Sequence, residues 1–391
     1  MRKDWEYKKL GEVCETSSGG TPSKTHTEYY ENGTIPWLRS GEVSQGYIYD
    51  AEIYISEFGL NKSSAKIFPK DTVLIAMYGA TVGEVGILCN PMCTNQAICG
   101  ILPNDLYNSE FLRYVLLSHK DKYLSLAIGG AQPNISQQII KNTIIPLIDK
   151  PTQLTIVAEL DKLNEMIRLK KQQLEDYDQL AQSIFYEMFG DPVENEKGWE
   201  VKKLGENVHE MFLGPFGSAL KVDSYVAKEH SYCMVYEQKH AIKGTIDLDN
   251  HYISEEKYKS LERFTVKPYD FIMSCRGTIG KLYQLPSNAP IGIIHPSLMK
   301  IRIKRDVYNS IYFRFMLVPI VANEQTNGNC VQMAITAKAL GNKQVPLPPL
   351  PLQQQFAARI EAIEQQKQQV KDTIKDLETL LASRMQYWFD S

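Results

Sequence analysis

The chain has 391 residues, of which 43% are hydrophobic and 23% are charged, and its formal net charge is −3. This composition predicts a soluble globular protein with room for two or three domains. No apolar run reaches the ~18 residues that a membrane helix needs, and the start, MRKDWEYKKL, lacks the apolar segment of a signal peptide. We therefore expect a cytosolic protein, without the basic character of a large nucleic-acid surface.

The seven cysteines follow no disulfide or metal-binding pattern. Their number is odd and their spacing suggests no disulfide framework, as expected for a cytosolic protein. One cluster, Cys89, Cys93 and Cys99, lacks the C-x2-C pairs and the nearby fourth ligand that a zinc site prefers. We expect these thiols to be small buried side chains in strands, and we predict no metal site.

The sequence is a tandem repeat of two halves that are offset by roughly 200 residues. The repeated segments keep the same order along the chain. They are WEYKKLGE (5–12) with WEVKKLGE (199–206), KDTVLIAMYGATVGEVGIL (70–88) with YDFIMSCRGTIGKLYQL (269–285), and IIPLIDKPTQ (144–153) with QVPLPPLPLQ (344–353). One repeat is as long as a domain plus a helix, so the pattern predicts a duplication with a pseudo-two-fold axis and not a solenoid.

Each half begins with a strand-rich part and ends with a long helix. Turn signals such as SSGGTPS, YGATVG and IGGAQPN separate short alternating segments, and NSEFLRYVLLSHK predicts one short helix among them. The predicted fold class is α+β. Its four parts are a strand-rich domain at 1–150, a helix at 151–190, a second strand-rich domain at 191–350 and a second helix at 351–391.

The two long helices carry apolar residues in heptads, and FGDP ends the first helix. A helix of this length with one apolar stripe needs a partner. Either each helix packs on its own strand-rich domain, or the two helices pair as an antiparallel coiled coil, which we favour. The predicted seam consists of Ile156, Leu160, Leu163, Ile167, Leu174, Tyr177, Ile184, Met188, Phe356, Ile360, Ile363, Val370, Ile374, Leu377, Leu381 and Trp388.

The register of this coiled coil follows from centring the overlap of the two helices. Ile156 then lies opposite Trp388. Two lysines, Lys170 and Lys367, interrupt the apolar seam. Such interruptions reduce stability but penalise slipped registers.

The ordered set of motifs, present twice, resembles the specificity subunits of type I restriction–modification enzymes. The order is a strand-rich domain, a heptad helix, FGDP, W-E-x-K-K-L-G-E, a second strand-rich domain and a second heptad helix. The segments SSGGTPS, YGATVG, NQAI, RGTIGK and PLPPLPLQQQ are typical of that family. The resemblance covers the whole chain and identifies residues 1–150 and 191–350 as two target recognition domains.

The resemblance implies a cytoplasmic, non-catalytic subunit of a bacterial defence complex. Each target recognition domain would read one half of an asymmetric bipartite site in double-stranded DNA. The helical pair would set the spacer between the halves and bind two methylation subunits, and restriction subunits would join this core. S-adenosylmethionine, ATP and Mg would bind the partner subunits, which methylate adenine N6 and cleave DNA with ATP hydrolysis, so no cofactor is expected in this chain.

Catalytic motifs are absent from the sequence, and we predict no catalytic residue. NPM (90–92) and DPV (191–193) do not continue as the N-P-P-Y type loop of an adenine methyltransferase, and SCRGTIGKL is not a nucleotide-binding loop. Two other functions are left open. A metal-dependent endonuclease could use Glu237 and Lys239 with Asp223, and a scaffold could bind proteins through its helices without DNA.

Candidate DNA contacts are polar side chains in the glycine-rich turns and in the segments where the halves differ. Arg, Lys, Gln and Asn carry the paired donors and acceptors that read bases, whereas Ser, Thr and backbone N–H groups suit phosphates. Motifs shared by both halves suit scaffold or phosphate contacts, so we expect base reading around 35–50 and 230–245. The candidates are Thr21, Ser23, Lys24, Arg39, Ser40, Tyr78, Thr81, Gln132, Asn134, Ser218, Lys221, Gln238, Lys239, Arg276, Thr278, Lys281, Asn327 and Asn329.

Overall fold

The computed structural model describes residue 2 and residues 4–128, 133–326 and 335–389. The chain forms two compact units. Unit 1 consists of Met1–Gln172 and Lys371–Ser391, and unit 2 consists of Gln173–Val370. Both long helices pass from one unit into the other near their middle, so each unit holds one strand-rich domain and half of each helix.

Unit 1 is built on two sheets and a two-stranded ribbon. Its strands are β1 (Glu6–Lys9), β2 (Thr16–Ser18), β3 (Ile35–Leu38), β4 (Tyr47–Ile48), β5 (Tyr54–Ile55), β6 (Ile67–Phe68), β7 (Val73–Ala76), β8 (Val85–Leu88), β9 (Met92–Thr94), β10 (Ile98–Ile101) and β11 (Ile144–Leu147). Five strands pair in the order β2-β10-β7-β8-β4, four pair in the order β5-β3-β9-β6, and β1 pairs with β11. Within the four-stranded sheet, β3 and β9 are parallel.

Most helices of unit 1 pack in the core of its five-stranded sheet, whereas the short helix at Glu57–Asn61 packs against the four-stranded sheet. The helices of this unit are α1 (Leu10–Val13), α2 (Glu57–Asn61), α3 (Ser109–Ser118), α4 (Lys120–Leu126), α5 (Gln137–Lys141) and the first part of α6 (Lys150–Phe189). The Asn108 side chain accepts the Phe111 N–H at 3.0 Å and caps the start of α3. The main core packs Ile75 of the sheet against Phe111 of α3 and Ile156 of α6, all with no exposed surface.

Unit 2 repeats this plan with one strand fewer in the larger sheet. Its strands are β12 (Val201–Lys203), β13 (Val208–Leu213), β14 (Cys233–Tyr236), β15 (His251–Ile253), β16 (Thr265–Val266), β17 (Phe271–Ser274), β18 (Leu282–Gln284), β19 (Gly292–Ile294), β20 (Leu298–Ile303) and β21 (Gln344–Pro346). The orders are β13-β20-β17-β18, β15-β14-β19-β16 and β12-β21, with β14 parallel to β19. Its helices are α7 (Gln238–Lys243), α8 (Glu255–Leu261), α9 (Ser310–Thr326), α10 (Ala337–Gly341) and the first part of α11 (Leu350–Phe389).

The repeated segments of the sequence form the same ribbon in both units. In unit 1, β1 pairs with β11 so that Tyr7 lies opposite Pro146. In unit 2, β12 pairs with β21 so that Val201 lies opposite Pro346. The near-identical W-E-x-K-K-L-G-E segments therefore close each strand-rich domain against the strand that leads into its long helix.

A buried glutamine anchors each long helix to its strand-rich domain. Gln153 accepts the backbone N–H of Asn108 at 2.8 Å and donates to two backbone carbonyls at 2.8 Å. Gln353 accepts the backbone N–H of Asn309 at 2.8 Å and donates to two carbonyls at 3.1 and 2.9 Å. Both glutamines are fully buried. Since each side chain satisfies one donor and two acceptors, its burial carries little desolvation cost.

Inside unit 1, the two long helices pack antiparallel. Trp388 of α11 donates from Nε1 to the Glu159 carboxylate of α6 at 3.1 Å, and Arg384 forms an ion pair with the same carboxylate. Further along α6, Lys171 pairs with Glu378 at 2.9 Å. Residue numbers thus rise along one helix as they fall along the other.

Inside unit 2, the remaining halves of the helices pack in the same sense through aromatic side chains. The rings of Phe185 and Phe356 lie 5.6 Å apart, and those of Phe189 and Phe356 lie 5.4 Å apart. Lys367 pairs with Asp178 at 2.7 Å. The predicted α+β class with an internal repeat and an antiparallel helix pair is confirmed.

All sixteen predicted seam residues are buried or half-buried. The heptad pattern left out Phe185 and Phe189, which are buried and contact the strand-rich domain of unit 2 as well as α11. The two packing alternatives are therefore both realised, because each helix contacts its partner helix and a strand-rich domain. In the described part of the chain, no helix is long and apolar enough to span a membrane.

Candidate nucleic-acid interface

A glycine loop closes the same β-hairpin in both units. The first glycine loop, residues 78–83, joins β7 to β8, and the second, residues 276–281, joins β17 to β18. Gly83 and Gly280 each have φ of +81° and donate their N–H to a carbonyl at the end of the preceding strand, at 3.0 and 2.8 Å. A positive φ at this corner favours glycine, so the shared glycines serve backbone geometry.

A short segment that differs between the halves follows the parallel strand of each unit. We call it the variable segment; it comprises residues 39–45 after β3 in unit 1 and residues 237–243 after β14 in unit 2. The last carbonyl of β3, on Leu38, accepts the Asn95 N–H at 2.9 Å. The last carbonyl of β14, on Tyr236, accepts a corresponding N–H at 2.8 Å. Both variable segments therefore start at equivalent positions of one shared backbone frame, which is the pair of parallel strands that the two units have in common.

The two variable segments are capped by the same geometry with different side chains. The backbone N–H of Arg39 donates to the Glu42 carboxylate at 2.9 Å, and that of Glu237 donates to His240 Nδ1 at 2.8 Å. His240 Nε2 lies 2.7 Å from an Asn250 oxygen, which assigns the ring proton to Nε2. Glu42 and His240 are buried. Sequence analysis missed both, although their position three residues after the cap matches a capping box.

Each variable segment lies beside the glycine loop of its own unit. In unit 1, the 3-10 helix Ser40–Gln45 packs against the 3-10 turn Gly79–Thr81. In unit 2, the Gln238 amide donates to the carbonyls of Arg276 at 2.7 Å and Thr278 at 3.3 Å. The structure thus brings together the candidates Arg39, Ser40, Tyr78 and Thr81 in one unit and Gln238, Lys239, Arg276, Thr278 and Lys281 in the other.

Two further loops reach this edge in unit 1. Asn134 pairs through its backbone with Tyr78 and Ile128. Thr21 is hydrogen-bonded to Gln96, two residues after the end of β9. The candidates Ser23 and Lys24 are exposed in the same loop as Thr21. Gln132, Asn327 and Asn329 lie outside the described residues.

The corresponding loop of unit 2 carries a different surface. Gly214 donates its N–H to the Leu298 carbonyl at 2.9 Å, as Gly19 does to Ile98 at 3.2 Å in unit 1. The candidates Ser218 and Lys221 are exposed in this loop. Phe216 also projects from it, with 88% of its surface exposed. The segment GPFG places this phenylalanine in a turn, but the polar pattern that predicts DNA contacts does not include aromatic side chains.

The charged side chains of the variable segment in unit 1 form surface ion pairs. The Arg39 guanidinium pairs with Glu52 and lies 3.7 Å from the carboxylate of Glu42. The Arg39 side chain remains 47% exposed and that of Glu52 65% exposed. Exposed pairs of this kind contribute ~0–1 kcal/mol, so Arg39 can exchange Glu52 for another acceptor at little cost.

The variable segment of unit 2 presents a carboxylate instead. Glu237 contacts Lys239 Nζ at 2.8 Å and His251 Nδ1 at 2.9 Å. Burial favours a raised pKa for Glu237, but the hydrogen bonds from Lys239 and His251 outweigh it and lower the pKa. His251 is itself stacked on Tyr225, with ring centroids 4.4 Å apart. Glu237 is therefore a fixed anion at neutral pH.

This arrangement offers no support for a metal-dependent nuclease. The neighbours of Glu237 are a lysine and a histidine, not a second carboxylate. Over the described ranges, no three His, Cys, Asp or Glu side chains are grouped so that they could hold a metal ion. Cys93 and Cys99 are buried in β9 and β10, and burial raises the pKa of Cys93 to about 11. Both thiols pack in the hydrophobic cores of unit 1.

Comparisons with known proteins agree on one family. The family model described as "Type I restriction modification DNA specificity domain" matches residues 2–176. The MjaIX specificity subunit of Methanocaldococcus jannaschii is 27% identical over 392 residues, covering 92% of this chain and 87% of the relative. The EcoR124I/EcoR124II specificity subunit of Escherichia coli is 27% identical over 195 residues, covering 46% and 48%.

Solved structures share the fold over the whole chain. A chain from a structural study of the assembly and conformational transition of the type I R-M system has a TM-score of 0.69 at 21% identity, covering 100% of this chain and 98% of that one. The S subunit of the type I restriction–modification system of M. genitalium has a TM-score of 0.50 at 15% identity, with the same coverage. At these identities the likeness concerns the fold.

Proposed function

The chain belongs to the specificity subunits of type I restriction–modification enzymes, and we propose that it directs such a complex to an asymmetric bipartite DNA sequence. Each unit reads one half of the site. The chain itself performs no catalysis. Methylation and cleavage belong to partner subunits, which also hold S-adenosylmethionine, ATP and Mg.

One observation carries this proposal: the two units present different side chains on the same frame. The glycine loop, the parallel strand and the cap of the variable segment are repeated in their hydrogen bonds. The exposed side chains on that frame are not repeated. A frame that is duplicated while its surface diverges suits two readers of different sequences, because backbone contacts position a protein on DNA and side chains specify the bases.

The long helices have a separate role in the proposal. They fix the spacer between the two half-sites and bind two methylation subunits, to which restriction subunits are added. The exposed residues Leu169 and Leu180 of α6, 51% and 46% exposed, are apolar side chains available to a partner protein. The mild net charge of the chain also fits a subunit whose partners supply many of the phosphate contacts.

The proposal is tested by sequence selection with the assembled complex. The full chain is purified with its methylation subunits and mixed with a library of random DNA duplexes, and the bound fraction is sequenced. We expect two short specific sequences separated by a gap of constant length. Cleavage by the chain alone would favour the endonuclease, and recovery of no selected DNA would favour a DNA-independent scaffold.

A further inference from the structure

The first residue of the variable segment has opposite charge in the two units. Arg39 follows the last residue of β3, and Glu237 follows the last residue of β14. Both residues have extended backbone, with φ and ψ of −96° and 154° for Arg39 and −112° and 170° for Glu237. Both donate their N–H to the side chain three residues later. The two side chains therefore leave the frame from the same position.

These two side chains select different base edges. In the major groove guanine shows two acceptors, O6 and N7, which an arginine can contact with two donors. A carboxylate accepts only, so it needs an exocyclic amino group such as that of cytosine N4 or adenine N6. The same carboxylate would be repelled by the acceptors of guanine. Exchanging Arg for Glu at one position thus reverses which bases are favoured.

Both side chains are in a state that permits this contact. Arg39 forms an exposed ion pair with Glu52 and lies 3.7 Å from Glu42, and a base can replace Glu52. The Glu237 carboxylate contacts Lys239 and His251 through one oxygen, Oε2, and 18% of its side chain is exposed. The exposed part of the carboxylate can accept from a base, and Lys239 and His251 fix its orientation.

We propose that Arg39 and Glu237 are equivalent base-reading residues, Arg39 for a guanine in one half-site and Glu237 for an amino-bearing base, cytosine or adenine, in the other. This inference rests on the proposed function and adds to it the class of base that each unit selects. Glu237 was not among the polar candidates identified from the sequence, because only its charge reversal relative to Arg39 on a shared frame singles it out.

The test is sequence selection with the assembled complex containing wild-type chain, R39Q, E237Q or E255Q. Glutamine pairs with adenine N6 and N7, so R39Q should change a guanine to adenine at one position of one half-site. E237Q should raise adenine at one position of the other half-site. Where the original base is guanine or cytosine, its enrichment should fall roughly 5- to 150-fold.

The E255Q variant is a matched control for E237Q. Glu255 is an exposed glutamate in α8 of the same unit, where it pairs with Lys259 at 2.9 Å. It follows β15, which runs antiparallel to β14, so it lies at the opposite end of that strand pair from Glu237. The E255Q complex should select the wild-type sequence at both half-sites.

A second measurement needs only the wild-type chain and so does not depend on how the variants fold. A duplex with 7-deazaguanine at the Arg39 position should bind more weakly, because it lacks N7. If the Glu237 position holds cytosine, a duplex with pyrimidin-2-one there, which lacks the amino group, should bind more weakly. If that position holds adenine, the matching substitution is purine, which lacks the N6 amino group. Equal binding of modified and unmodified duplexes would overturn the inference.

The outcomes separate this inference from the proposed function. If the wild-type complex selects no bipartite sequence, the proposed function fails. If it selects one but R39Q and E237Q leave both half-sites unchanged, or weaken every position equally, only the base-reading inference fails. The base-reading inference would also fail if the wild-type complex selects guanine or thymine at the position that E237Q alters.

Discussion

The two units hold the long helices together by different chemistry. In unit 2 the contact is aromatic: Phe185 lies within 6 Å of the rings of Tyr312, Phe315 and Phe356. In unit 1 the position equivalent to Phe185 is Met385, which is half-buried. There the nearby contact is polar, with Arg384 and Trp388 sharing the Glu159 carboxylate.

This comparison shows that one register can be specified in two ways. An aromatic cluster stabilises the pair through buried area and is insensitive to pH. A charged group on one helix with donors on the other contributes less free energy but demands a particular alignment. The repeat has kept the geometry of the helix pair while its stabilising interactions diverged. Variants at equivalent positions should therefore have unequal effects.

The largest difference is expected for truncation of the aromatic contact. Phe185→Ala should destabilise unit 2 by about 3–5 kcal/mol, because a fully buried ring is removed from a packed cluster. Met385→Ala should cost unit 1 only about 1–2 kcal/mol, since that side chain is half-exposed already. Native-state hydrogen exchange followed by mass spectrometry reports each unit separately. Equal protection losses in the two units would contradict the comparison.

The buried glutamines should behave alike in both units. Gln153→Leu and Gln353→Leu each leave one N–H and two carbonyls without a partner, so each should cost about 3 kcal/mol. The loss should be confined to the unit that contains the variant and should be seen in hydrogen exchange of α3 or α9. Gln179→Leu, at an exposed position of α6, is the control and should change protection little. A large difference between the two anchors would show that the repeat has diverged here as well.

A smaller effect is expected when the seam of unit 2 is made like that of unit 1. The equivalent of Lys367 is Ile167, which is buried. The Lys367 side chain is only 12% exposed and pairs with Asp178 and Glu364. Lys367→Ile should stabilise unit 2 by about 1 kcal/mol, because an apolar side chain avoids the desolvation of a buried amine.

Thermal unfolding monitors this change. The melting temperature of the Lys367→Ile chain should rise by about 2–4 °C. Lys371→Ile, at an exposed position of the same helix, serves as the control and should leave it unchanged. A fall in melting temperature with Lys367→Ile would mean that the ion pairs stabilise the seam.

The smallest effect concerns pH and unit 1. The Arg384 hydrogen bond lowers the pKa of Glu159, so Glu159 contributes stability above its unfolded pKa of ~4.3 and loses it as pH falls through the folded value. Glu159→Gln should cost about 0.5–1 kcal/mol at pH 7. Wild type and variant should melt at the same temperature once the pH lies below the lowered folded pKa of Glu159. A difference that persists in acid would remove the ionic explanation.

Much of the fold was predictable because it rests on repetition and periodicity. The two halves, the α+β class and the antiparallel helix pair follow from repeated segments and from heptads. The heptads failed at Phe185 and Phe189, since a heptad describes only the face toward a partner helix. These residues also face a strand-rich domain, and no local pattern reports a second contact surface.

The loops that form the candidate site were predictable from the sequence, but the structural role of each side chain in those loops was not. Gln238 was chosen as a polar candidate, yet its amide donates to two carbonyls of the second glycine loop. Glu42 and His240 were missed because their spacing indicates a capping box but does not show that the capping side chain is buried. Hydrogen-bond partners far apart in the chain decide such roles.

The sequence by itself determined the architecture of this protein, because the duplication, the heptad spacing and the turn glycines are all visible in the order of the residues. Only the tertiary structure decided which residues share a position. It placed Arg39 and Glu237 on equivalent backbone, and it joined Glu159 to Arg384 and Trp388. The physical reason is that hydrogen bonds and ion pairs act over a few ångströms, whatever the separation of the residues along the chain.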